Sequence, residues 1–452
     1  MTFESNHELM YLLPSGDESC CSIKSKDRTI EPRKALEGCK VNPTSDLDAL
    51  LHVIKSSLST GVLAIPNGFK NAGLLIGILG TISIGILCTH CAYIMVKCAQ
   101  DLCQILDRPF LGYTETVEQA MLNCAQKKFS QYARFAKNTV DMFMFFTYYG
   151  VNTVYIIFVA TTVQHITENQ FHIILNVRFY ILTVAIPVFF VGIIGSMKYL
   201  VPFSAIANLF LLIGLCLTFY YILQDLPPIS SRPLVVGITH WPFFISTAFF
   251  GLEGIGTMLP IENSMKNPHH FLSFPGVLII AMVIVVSLFT SVGFLGYLKY
   301  GNHTEGSITL NLPRNLKAEA VKLLIALAVL FTYGLQLTAS MEVIWKRLEK
   351  YFDDERKYMR YYQVRAILIL GTVVIALVVP NLGPVISLIG AFGFSMCGFF
   401  YPALVQMIMK WDDDLGKWNY ILWKNGFLIL FSIVATITGS VSAMLDIIKE
   451  YK

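Results

Sequence analysis

The sequence predicts an all-α integral membrane protein of about eleven transmembrane helices, on three observations. Of its 452 residues 55% are hydrophobic and only 14% are charged, with a mean hydropathy of +0.59, too apolar for a chain that keeps its surface in water. Apolar runs of the roughly 20 residues needed to cross a bilayer recur from Asp46 almost to the C-terminus, with short breaks between them. Two of these runs, the first and the sixth, are interrupted by glycine and small hydroxyl residues, the spacing that a five-plus-five repeat requires.

In chain order, residues 1–45 are polar and of mixed charge, with neither a basic start nor an apolar core, so they read as a disordered cytoplasmic tail and not as a signal peptide. Within them Glu8, Leu12 and Leu13 fit an acidic dileucine sorting signal of the kind that adaptor proteins read on the way to endosomes and lysosomes. Residues 46–447 form the membrane domain. Its spans are expected near 46–69, 73–100, 139–164, 178–197, 199–223, 241–262, 274–298, 319–345, 364–382, 384–409 and 421–447. Residues 448–452 make a short outer or lumenal tail.

Lys and Arg are retained on the cytoplasmic side of a membrane. A cytoplasmic N-terminus puts 24 of the 34 inside, including the basic loops 102–138 and 346–365, against 9 outside, and leaves Lys55 within the first span. The one N-x-Ser/Thr sequon, Asn302-His303-Thr304, then falls outside, where glycosylation occurs. All ten cysteines fall in spans or on the inner side, so no external disulfide is expected.

The first span reads Ser56-Ser57-Leu58-Ser59-Thr60-Gly61 before Pro66, and the sixth reads Phe250-Gly251-Leu252-Glu253-Gly254-Ile255-Gly256 before Pro260. A helix break frees N–H and C=O groups that lipid cannot satisfy, and it is tolerated where it lines a cavity. The freed N–H groups suit a carboxylate and the freed carbonyls suit an ammonium or a cation. A zwitterionic amino acid has both, so Ser57, Ser59, Thr60, Gly61, Phe250, Gly251, Glu253, Gly254 and Gly256 are candidate substrate-binding residues. Tyr148, Tyr149 and Asn152 of the third span are candidates to shape the pocket.

Ionisable groups within spans are costly and point to function. His52 lies three residues before Lys55, on one face of the first span, and an imidazole exchanges protons over physiological pH, so His52 is the candidate proton-coupling residue. Glu253 has three open roles: holding a proton, pairing with Lys55, or taking the substrate ammonium. Cys88-Thr89-His90-Cys91 has the residue types of a metal motif, but no second cluster completes four ligands and no metal is expected. With no phosphate loop, nucleophile elbow or large soluble domain, the chain reads as neither an enzyme nor an ATP-driven pump, and no cofactor or nucleic acid is implied.

Leu51-His52-Val53-Ile54-Lys55 with Ser56 to Gly73 resembles the first helix of the proton-coupled amino acid transporters of the amino acid/auxin permease superfamily. Phe250 to Gly256 with Pro260-Ile261-Glu262-Asn263-Ser264-Met265-Lys266 resembles their sixth, and Phe331-Thr332-Tyr333-Gly334-Leu335-Gln336 their eighth. The resemblance implies a LeuT-like core of ten helices plus one. It also implies proton-driven symport of small neutral amino acids such as glycine, alanine or proline, at the plasma membrane, late endosome or lysosome. It places a coupling histidine at His52. The chain departs from the family where Ser59-Thr60-Gly61 replaces a Gly-Thr-Gly break, and where a proline is missing around Leu337-Thr338-Ala339-Ser340. An amino-acid sensor that signals to growth control and a sodium-coupled or facilitative carrier are the alternatives on the same fold.

Overall fold

A computed structural model describes residues 43–57, 60–124, 127–252, 254–411, 415 and 417–450. Of the residues singled out above, Glu8, Leu12, Leu13, Ser59 and Glu253 lie outside the described residues, as does most of the 1–45 tail.

The first span is two helices, α1 (Asp46–Ser57) and α2 (Thr60–Ala72), whose axes meet at 49°. There follow α3 (Leu74–Ile105), α4 (Tyr113–Leu122), α5 (Ala133–Phe171), α6 (Val177–Gly192) and α7 (Met197–Leu223). The sixth span is again two helices, α8 (Trp241–Leu252) and α9 (Ile255–Ser264). Then come α10 (Val277–Tyr300), α11 (Leu316–Leu348) and α12 (Lys357–Val378). The tenth span runs from α13 (Leu382–Ile389) through two widened π turns, Gly390–Phe394 and Met396–Phe400, into α14 (Tyr401–Met409). The chain closes with α15 (Tyr420–Glu450).

Among the described residues nine helices are long and apolar enough to cross a membrane, and the bent pair α1 and α2 makes a tenth crossing. The sixteen-residue α6, about 24 Å at 1.5 Å per residue, completes the expected eleven as a short span. Large apolar side chains such as Phe190, Leu209, Val283, Ile367 and Leu430 point outward and exposed, a face that suits lipid and not water. Among the described residues the only β contact is an isolated parallel bridge, Thr44 with Met265.

Several helices outrun their apolar stretches. The third span extends to 133 and 171, and the ninth begins at Lys357 and not near 364. Hydropathy marks only the part inside hydrocarbon, whereas polar residues continue a helix readily. For the same reason Arg365, expected in a basic loop, is instead fully buried in α12. The 102–138 loop is likewise not irregular throughout: α4 lies in it and buries Tyr113, Val117, Ala120 and Met121 against its neighbours.

Contacts between helix ends agree with eleven alternating spans. On the side where α1 begins, here the near side, Thr44 N donates to Ser264 O at 3.0 Å and Lys266 N to Thr44 O at 2.9 Å. These bonds join the start of the first span to the end of the sixth. Arg347 at the end of α11 pairs with Asp141 near the start of α5 at 2.8 Å. On the far side Lys70 Nζ of α2 donates to Thr304 O, beyond α10, at 3.2 Å. An odd shift in the span count between the members of a pair would put them on opposite faces.

Candidate transport site

The two broken spans cross at glycines. A Cβ on Gly61 would stand 2.5 Å from Gly251 Cα and 3.4 Å from Phe250 O, so only backbone fits between α2 and α8 at this point. Close crossing brings the breaks together in the middle of the molecule. Gly254 caps α9 at φ −139° and ψ 17°, and a side chain there would meet Ser57 Oγ at 3.4 Å. Ser56 Oγ of α1 lies 3.2 Å from Thr257 Oγ1 of α9, a hydrogen bond from one broken span to the other.

Beside the breaks is a cavity of about 100 Å³. Its floor and one wall are Ser56, Phe250, Gly254, Ile255, Gly256 and Thr257. Met144, Thr147, Tyr148, Val151 and Tyr155 of α5 face them, with Gln336 of α11 and with Phe394 and Cys397 from the widened turns of the tenth span. A cavity needs about 10–15 Å³ of such space to hold one water, so this one has room for a small ligand. Gly256 is needed here because a Cβ would collide with the Tyr148 hydroxyl.

Ser57 Oγ and Thr60 Oγ1, at the two sides of the first break, are buried and have no hydrogen-bond partner among the described residues. A buried hydroxyl left unpaired costs roughly 1–3 kcal/mol, and such groups mark places where a further polar partner belongs. Neither hydroxyl is part of the cavity wall.

The structure therefore sorts the predicted residues into three groups. Phe250, Gly254 and Gly256 line the cavity, Gly61 and Gly251 make the crossing, and Ser57 and Thr60 present unpaired hydroxyls. Outside these groups His52 is exposed on α1, before the break and away from the cavity, as is Lys55. Of the third-span candidates only Tyr148 faces the cavity. Tyr149 donates to Leu368 O at 3.0 Å and Asn152 to Tyr148 O at 3.0 Å. Cys88 and Cys91 are buried in the core while His90 lines a separate apolar groove between α3 and α10, and among the described residues no three His, Cys, Asp or Glu side chains gather as a metal site.

Sequence reasoning passed over Ser56, one residue from the expected Ser57, and Thr257. Gln336 had no expected role, although a lone amide in an apolar span is a usable signal. Phe394 and Cys397 had no signal, since they sit in an unbroken apolar run and only the π widening turns them inward.

Residues 42–445 match the family described as transmembrane amino acid transporter protein. The chain is similar to the proton-coupled amino acid transporter-like protein pathetic of Drosophila melanogaster, with 39% identity over 411 residues, 91% of this chain and 87% of the relative. It is also similar to vacuolar amino acid transporter 4 of Saccharomyces cerevisiae, with 26% identity over 473 residues, 95% of this chain but only 63% of that longer protein. An eleven-span fold, a small cavity at the crossing of two broken helices and a family match over nearly the whole membrane domain lead to one conclusion: this chain is a multi-pass membrane transporter, not an enzyme, and belongs to the transmembrane amino acid transporter family.

Proposed function

We propose that the chain carries small neutral amino acids, glycine, alanine or proline, together with protons into the cytoplasm from the cell exterior or from an acidic lumen. The observation that carries this reading is the cavity of about 100 Å³ at two helix breaks, walled by Phe250, Tyr148 and Phe394. Its size favours a short side chain. Its setting offers backbone ends to a carboxylate and an ammonium. The Drosophila relative, described as proton-coupled, supports the choice of ion.

In this reading the near side is cytoplasmic, and His52, exposed there on α1, exchanges the proton. Glu253 is the second candidate for coupling. The N-terminal tail with Glu8, Leu12 and Leu13 directs the protein to late endosomes and lysosomes through adaptor proteins, with residence at the plasma membrane when that signal is not read; the yeast relative's vacuolar description supports an internal membrane. Asn302, exposed in the turn after α10 on the far side, is the glycosylation acceptor. One proton gains about 1.36 kcal/mol per pH unit and about 2.3 kcal/mol per 100 mV, so two pH units with 60 mV supply roughly 4 kcal/mol. That suffices for several-hundred-fold accumulation in a one-to-one symporter.

A second reading, sodium-driven transport, is favoured by the unpaired Ser57 and Thr60 hydroxyls, because oxygen ligands at a helix break suit a hard cation. Electrophysiology separates the two. Cells expressing the chain at their surface, with Leu12 and Leu13 changed to Ala, are perfused with glycine, alanine and proline at outer pH 5.5 and 7.5, with sodium or with choline. Proton symport gives an inward current that grows with acid, persists in choline and vanishes in His52→Ala. A current that requires sodium and ignores pH sinks the proton reading.

A further inference from the structure

One part of the cavity wall does not come from a membrane span. Tyr113 lines the cavity, and it is the first residue of α4, the ten-residue helix in the near-side connection between the second and third spans. Gly112 N donates to Glu115 Oε2 at 3.1 Å, a cap that fixes where this helix starts. Tyr113, Thr116, Val117, Ala120 and Met121 are the buried residues of α4 and recur at helical spacing, so the helix is held against the bundle by one face.

The start of α4 is joined to three spans that wall the cavity. The Tyr113 hydroxyl donates to the Cys397 carbonyl, in the second widened turn of the tenth span. Thr114 Oγ1 lies 3.7 Å from Met144 Sδ of α5, and Asn263 Nδ2, in the last turn of α9, donates to Leu111 O at 3.3 Å. Cys397 and Met144 line the cavity themselves. All three contacts are between neutral groups, and a neutral hydrogen bond holds a helix only weakly on balance. Further along α4 the attachment is ionic: Glu118 pairs with Lys137 of α5 at 2.6 Å, with both side chains partly exposed.

We infer that Tyr113 is the near-side gate of the transport cavity, opened when its bond to the Cys397 carbonyl breaks and the start of α4 swings away about the Glu118–Lys137 pair. The inference rests on reading this cavity as the transport site. The tyrosine ring closes the near side of the cavity, and its hydroxyl holds the ring in place by one bond that forms and breaks readily. Substrate passes between the cavity and the near side only with Tyr113 withdrawn. Proton binding at His52 does not enter this step.

Cys397 itself reports the gate, because it is buried in the same cavity wall. In a chain whose other cysteines are replaced by alanine, its reaction with a charged, membrane-impermeant methanethiosulfonate is followed in membrane vesicles of each orientation, without amino acid. Tyr351→Cys, exposed on the near-side connection between α11 and α12, in a chain that lacks Cys397, identifies the vesicles that present the near side. Tyr113→Phe keeps the ring and loses the bond, so near-side labelling should quicken about fivefold, the scale of one hydrogen bond. Tyr113→Ala loses the ring as well and should quicken it further, while labelling from the far side stays at the parent rate in both variants. A near-side rate unchanged in Tyr113→Phe, or a rate raised equally from both faces, overturns the inference, whether or not Tyr113→Ala folds. With no amino acid present, that failure leaves the proposed symport standing, and a failed symport recording leaves the labelling result intact.

Discussion

Around Arg365 the buried donors find acceptors, whereas at the break between α1 and α2 two buried hydroxyls do not. The Arg365 guanidinium donates to Gly192 O at 2.5 Å, Ile194 O at 2.9 Å, Gly334 O at 3.2 Å, Thr338 Oγ1 at 3.2 Å and the Tyr361 hydroxyl at 3.2 Å. Among the described residues no carboxylate pairs with it. Instead the carbonyls at the C-terminal end of α6 receive the cation, where the helix dipole is negative. One side chain so ties α6, α11 and α12 together. Thr338, in the stretch 337–340 where the resembled family commonly has a proline, is one of its acceptors. The break region has the opposite character: among the described residues Ser57 Oγ and Thr60 Oγ1 have no partner, Gly61 and Gly251 meet at backbone distance, and a 3.2 Å hydroxyl contact links α1 to α9. Polar groups in an apolar medium are usually satisfied internally, and the two hydroxyls at the break leave room for a further polar partner.

Stability is the sharpest test of that contrast. Arg365→Leu removes the donor from the buried Gly192 and Gly334 carbonyls and the part-buried Ile194 carbonyl, an unpaired buried acceptor costing roughly 1–3 kcal/mol, and should lower the thermal midpoint of the purified protein and deplete it from the membrane. Arg365→Lys should recover part of the loss, because an ammonium cannot reach acceptors spread around a planar fork. A midpoint unchanged in Arg365→Leu would break the comparison from its rigid side.

Gly61→Ala should act on transport more than on the amount of protein. The added methyl meets Gly251 Cα at 2.5 Å, the two breaks are pushed apart, and uptake should fall on the order of 10²-fold, as misplacement of a binding group by about 1 Å typically does. Gly426→Ala is the control, since nothing lies within 4 Å of a Cβ there, and its uptake should match the parent.

The smallest expected effect is the most discriminating. Ser57→Ala combined with Thr60→Val removes two unpaired hydroxyls, so the thermal midpoint should hold or rise slightly. Apparent affinity for substrate or driving ion should weaken about tenfold, near 1.4 kcal/mol, in uptake titrations. A stability loss with unchanged affinity would make these hydroxyls structural and erase their difference from Arg365.

Much of the fold was legible because hydrocarbon imposes its requirement on consecutive residues: about 20 apolar side chains per crossing can be read without knowing any neighbour. The interrupted spans were legible on the same grounds, since glycine and hydroxyl residues inside an apolar run weaken a helix wherever the run is placed. The near-side basic loops were read with one error. Arg365 was counted among loop charges, because a charge in sequence does not announce three carbonyls arriving from two other helices. Lys322, inside the expected eighth span, is buried against Glu319 at 3.2 Å.

By itself, then, the sequence determined the membrane class, the number of spans, the matched breaks and the residues Phe250, Gly254 and Gly256 that line the cavity, all of them consequences of local composition or of spacing along one chain. Tertiary structure alone decided that Ser56 reaches Thr257, that Gln336, Phe394 and Cys397 close the cavity, and that His52 stands apart from it. The reason is physical. Lipid tests each helix separately for apolarity, whereas a cavity of a few heavy atoms is bounded by side chains from five different spans, whose facing is set by packing between helices and by a widened π turn that no periodicity in the sequence reveals.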